Sequence, residues 1–172
     1  MALSTSSHVP VHSDEYPWAL RQGAIGGIVA GLVFAAFEMI ATAAMQGANA
    51  LFMPLRMIGA IALGPAALEP SYALPAAALA GVGVHMALAI VYGIVFAAVF
   101  GGLRSVWGMT ALGVAYGTAL WLLNFYLIAP AAYPWFEQAD PMLQFLAHAV
   151  FFGAVLGFWV WRTHETLLRR KP

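Results

Sequence analysis

Residues 31–45 read GLVFAAFEMIATAAM, and this stretch decides the class of the chain. It is a long apolar run with a single charge, Glu38, flanked by small or apolar residues for more than a turn on either side. A segment of about 20 such residues crosses the hydrocarbon core of a bilayer as a helix. A carboxylate inside a span is expensive, since insertion scales give roughly 2.5 to 3.5 kcal/mol for a charged residue at mid-span. Glu38 therefore either stays protonated or meets a cation, and the remainder of the chain has to supply its surroundings.

The composition agrees with a membrane setting. Of 172 residues, 63% are hydrophobic and 8% charged, where a soluble domain carries about a quarter charged residues. Seven basic and seven acidic residues balance, so there is no basic face to recruit nucleic acid. The absence of cysteine excludes disulfides, thiolate metal sites, cysteine nucleophiles and lipidated cysteines. Four segments are long and apolar enough to cross, at about 23–45, 76–100, 106–128 and 142–161. The expected fold is an all-α, four-helix, up-down transmembrane bundle over 18–163. A polar tail precedes it at 1–17 and a short basic tail follows at 164–172. His8 and His12 lie in the first tail, and Pro10 between them argues for solvated side chains rather than a helical metal pair.

The connection at 46–75 contains LFMPLRMIGAIALGP, which is apolar but interrupted by Pro54 and Pro65. The stretch between those prolines is too short to span. It predicts an interfacial or re-entrant helix. Lysine and arginine set the direction. With both termini in the cytoplasm, Arg21, Arg104, Arg162, Arg169, Arg170 and Lys171 lie inside, and Arg56 alone lies outside. Tryptophans and tyrosines then fall at both interfaces, as membrane belts require.

An internal repeat is visible. Gly27 and Gly31 precede Glu38, and Gly113 and Gly117 precede Asn124 at the same spacing. The second and fourth spans each hold one histidine, His85 and His148. The chain reads as two tandem helical hairpins. At about 1.5 Å rise per residue, Glu38, His85, Asn124 and His148 lie roughly 6 to 14 Å below the outer edge, in one layer. Small residues at four-residue spacing around His85 (Ala77, Gly81, Ala89, Gly93) mark a face that approaches another helix closely.

Two imidazoles and a carboxylate suit zinc, iron or copper. Glu38, His85 and His148 are the candidate ligands, with Asn124, Gln144 and Arg56 behind them to orient ligands or water. Three further readings compete. The layer can be a structural hydrogen-bond cluster in an accessory or assembly subunit of a larger membrane complex, or in a homo-oligomer. His85 and His148 can be the axial pair of a b-type haem, with Arg56 at a propionate. The layer can also be a stop on the path of a transported proton or small solute, although no polar chain continues inward. No G-x-S-x-G, phosphate-binding loop or dinucleotide fingerprint indicates an enzyme.

Three stretches, NFYLIAP (124–130), YPWF (133–136) and AHAVFFG (147–153), carry a resemblance. On them the chain resembles small four-span inner-membrane proteins of bacteria, from the first span to the fourth. That resemblance implies a four-helix fold in a bacterial cytoplasmic membrane. It implies no activity and no residue role.

Overall fold

The computed structural model describes residues 15–169. His8, His12, Arg170 and Lys171 lie outside them. The described chain is helical throughout, without strands. Helix α1 is Glu15–Gln46, α2 is Met53–Leu63, α3 is Leu74–Phe100, α4 is Val106–Ala132 and α5 covers 141–168. All but α2 are long and apolar enough to cross a membrane. Each begins or ends between one and eight residues beyond its expected limits.

The ends follow from local chemistry. The Ser105 hydroxyl accepts from the Gly108 amide at 3.2 Å and starts α4. The Asp140 carboxylate accepts from the Leu143 amide at 2.8 Å, ahead of Pro141 in the first turn of α5. Gly64 stops α2 at φ 81°, a conformation that only glycine adopts without strain.

Close approaches at glycine set the packing. A Cβ on Gly27 would run into the Ala89 carbonyl, and one on Gly93 into the Gly23 carbonyl. These contacts bind α1 to α3, one of the two extensive helix pairs of the bundle. Gly113 meets the Gly153 carbonyl, Gly117 the His148 carbonyl and Gly157 the Met109 carbonyl, all between α4 and α5. Helix α5 also packs along α1, whereas α3 and α4 touch little despite the short turn that joins them.

The short helix α2 lies on α3. Gly59 faces the Ala77 carbonyl and Gly81 faces the Leu55 carbonyl, so both surfaces must be bare for the two helices to meet. The small stripe around His85 is thus divided. Ala77 and Gly81 receive α2, and Ala89 and Gly93 receive α1.

The two ends of the bundle differ. At the end closed by the α3–α4 turn, Phe96, Met109, Leu156 and Val160 are fully buried and fill the interior. At the end covered by α2, the interior is a cavity.

Candidate functional site

That cavity is about 580 Å³ and lies between α1, α3, α4 and α5. Met53, Pro54, Met57, Ile58 and Ile61 of α2 line its roof. Tyr133, Trp135 and Phe136, from the segment between α4 and α5, complete the cover. Two side chains hold the roof in place. The Trp135 indole donates to the Met57 carbonyl at 3.0 Å. The Arg56 guanidinium donates to the carbonyls of Ala67, Glu69 and Tyr72. Arg56 is thereby committed to the loop that follows α2, and it does not line the cavity. A guanidinium presents several donors in a fixed fork, which suits it to gather a loop of carbonyls.

Three polar side chains of the described chain are buried: Glu38, Thr42 and Gln144, at 5%, 7% and 6% exposure. All three line the cavity. The Gln144 amide donates to Glu38 Oε1 and joins α5 to α1. Thr42 stands one turn beyond Glu38 on the same face of α1. The carboxylate expected to need a partner has one, and it is a neutral amide. Gln144, expected to stand behind the ligands, is the group that touches the carboxylate.

Both histidines reach the same cavity. The His85 Nε2 lies 2.8 Å from the Gly31 carbonyl, across the α1–α3 contact. The His148 Nδ1 lies 2.8 Å from the Gln144 carbonyl, one turn back in its own helix. A carbonyl only accepts, so each of these nitrogens carries the proton when the ring is neutral. The other nitrogen of each ring then has a free lone pair. Between the rings stands Phe34, with its centroid 5.1 Å from that of His85 and 4.8 Å from that of His148.

Asn124 lines the cavity at its α4 wall. Its Oδ1 accepts from the Tyr92 hydroxyl at 3.4 Å, and the Tyr116 hydroxyl donates to the Tyr92 carbonyl at 3.0 Å. This chain bridges α3 and α4 at the cavity floor. The backbone around Asn124 and His148 is not regular α-helix. Leu123–Ile128 and Ala147–Ala154 are wound in wider π turns. Such turns recur at functional sites because they re-aim side chains and loosen the backbone ladder.

Glu38, His85, Asn124, Gln144 and His148 thus share one chamber. Among the described residues, however, no three histidine, aspartate or glutamate side chains stand together closely enough to hold one metal ion. Residues that the sequence did not single out also build the site. Phe34, Tyr92, Trp135 and Asp140 all line it. Tyr92 was visible in principle, seven residues from His85 and hence on its face. Trp135 and Asp140 enter through long-range folding of the α4–α5 segment.

No known family model, curated protein or solved structure matches the chain. The resemblance to small four-span proteins therefore has the four apolar helices behind it and nothing finer.

Proposed function

We propose that the protein is a multi-pass membrane protein that binds a small ligand in the cavity beneath α2, at the polar layer formed by Glu38, Gln144, His85 and His148. The observation that carries this reading is the Gln144–Glu38 contact, buried in the wall of a 580 Å³ cavity. Ligand sites have this size and this mix, mostly apolar lining with a few convergent polar groups. A structural hydrogen-bond cluster needs no cavity around it, and the filled opposite end of the bundle shows that this chain can pack without one.

The topology belongs to the same proposal. Both termini lie in the cytoplasm of a bacterium, α2 rests in the outer membrane interface, and the cavity occupies the outer half of the bundle. The two glycine-packed pairs, α1 with α3 and α4 with α5, support the repeat of tandem hairpins. A C-terminal reporter active only in the periplasm should stay silent, and cysteines placed at Met57 and Leu68 should both label from the periplasm. Labelling from opposite sides means a fifth crossing.

A metal ion is the second reading. It is favoured by the two imidazoles, each of which holds a backbone carbonyl with one nitrogen and leaves the other to the cavity. Metal-binding histidines are oriented in that manner. Zinc, iron or copper would need Glu38, His85 and His148 drawn closer together. A b-type haem between the same histidines would need Phe34 displaced. Native mass spectrometry of the protein in nanodiscs, with metal analysis and an optical spectrum, separates these cases. A bound small molecule that is lost in Ala129→Phe, which grows into the cavity, supports the ligand site. A stoichiometric metal or a Soret band replaces it.

A further inference from the structure

The cavity lining has a one-sided charge. Glu38 lies in its wall and Asp140 also lines it, and no lysine or arginine does. Both imidazoles line the cavity, donate to backbone carbonyls and keep one nitrogen each as an acceptor. Arg56, the cation nearest in sequence to the roof, is held by three loop carbonyls away from the lining. Glu38 Oε1 accepts from Gln144, and among the described residues its other oxygen has no protein partner.

The other surface is aromatic. Phe34, Phe125, Tyr133, Trp135 and Phe136 line the cavity together with Tyr92. Ring faces attract cations, and they do so most strongly where water is excluded. Helices α3 and α4 touch little. There Leu88 and Ile128 line the cavity and are also exposed, at 41% and 39%. The Tyr92–Asn124 hydrogen bond, at 3.4 Å, spans this seam. With the helices in a bilayer, this seam faces lipid.

Resting on the ligand-site reading above, we propose that the ligand is a lipophilic organic monocation, such as a hydrophobic amine or a quaternary onium ion. It reaches the cavity sideways from the outer leaflet, between α3 and α4. The bound cation supplies the charge that Glu38 lacks in the folded chain, and the rings enclose its apolar part. A metal ion fits this cavity less well, since the space exceeds what an ion needs and the three donors stand apart.

The test uses the full chain in nanodiscs, with tetraphenylphosphonium as the probe and tetraphenylborate as its anionic counterpart of the same shape. Empty nanodiscs correct for partitioning. The expected result is saturable binding of the phosphonium, at least about tenfold tighter than any binding of the borate. Glu38→Gln should weaken the phosphonium by about tenfold, and bulky Leu88→Trp at the seam should slow its association. Equal saturable binding of both ions overturns the charge inference and leaves a neutral ligand site standing. An unchanged phosphonium affinity in a folded Glu38→Gln protein overturns it as well. No saturable binding of either ion also overturns it, and the ligand-site reading then stands or falls on its own mass-spectrometric test. Because the comparison of the two ions is made on the unaltered chain, a variant that fails to fold does not spoil it.

Discussion

The α1–α3 pair and the α4–α5 pair carry the same pattern on different backbones. In each, a glycine on the first helix receives a carbonyl of the second (Gly27 and Gly113), a polar residue follows eleven positions later (Glu38 and Asn124), and the second helix bears a histidine. The first pair is regular α-helix through Glu38 and His85. The second is wound in π turns at Asn124 and again at His148. The outcome is that Glu38 reaches across to α5, whereas Asn124 reaches across to α3. A shared packing pattern brings the helices together, yet the polar residues that follow it meet different helices.

The packing half of that likeness is open to the largest effect. Gly27→Leu and Gly113→Leu both place a side chain against a backbone carbonyl, which cannot rotate away. Overpacking generally costs about 1 to 3 kcal/mol, and sometimes more. We expect about 3 kcal/mol or greater at both sites, read as a lowered unfolding midpoint on titration with denaturing detergent. Gly83 has nothing within 4 Å of an added Cβ, and Gly83→Leu should fall within about 0.5 kcal/mol of the parent. Tolerance at one of the two packed glycines but not the other would break the equivalence of the pairs.

The winding half was legible at one site and hidden at the other. Pro130 lacks an amide proton and its ring crowds the carbonyl four residues earlier, so NFYLIAP advertises an irregular turn. AHAVFFG contains no proline, and nothing local announces the π turns around His148. The spans and the glycine faces were readable because each depends on residues three to seven apart. The cavity was not, because its roof is assembled from α2 and the α4–α5 segment, far apart in the chain. Arg56 illustrates the same limit: a lone basic residue in an apolar loop suggests a counter-ion, but its donors serve carbonyls 11 to 16 residues ahead. Pro130→Ala separates local from tertiary causes. A proline within a helix costs about 3 kcal/mol, and relief of part of this should slow hydrogen exchange across 123–132. Unchanged exchange would assign the π turns to packing against α5 instead.

The two histidines offer a smaller contrast. His85 hydrogen-bonds to another helix, and His148 to its own. Loss of the first removes a link between α1 and α3, while loss of the second removes only a local bond. Interhelical hydrogen bonds in membranes average about 0.6 kcal/mol. His85→Ala should therefore lower stability by about that much more than His148→Ala, in the same detergent titration. Equal losses would mean that both rings act through packing on their aromatic neighbours, Phe34 and Phe125.

The smallest effect concerns the bridge from α3 to α4. The Tyr116 hydroxyl meets the Tyr92 carbonyl at 3.0 Å, a good length, whereas the Tyr92 hydroxyl meets Asn124 at 3.4 Å. Hydrogen bonds weaken as they lengthen beyond the usual range of about 2.5 to 3.0 Å for hydroxyl donors. Tyr116→Phe should cost about 0.6 kcal/mol, and Tyr92→Phe less. A double-mutant cycle of Tyr92→Phe with Asn124→Ala should return a coupling below about 0.6 kcal/mol. Such a weak latch suits a seam that must part from time to time, and a strong one would keep it shut. A coupling near the upper end of the measured range, about 1.7 kcal/mol, would make this bridge a fixed strut and place any ligand path elsewhere, beneath α2 rather than between α3 and α4.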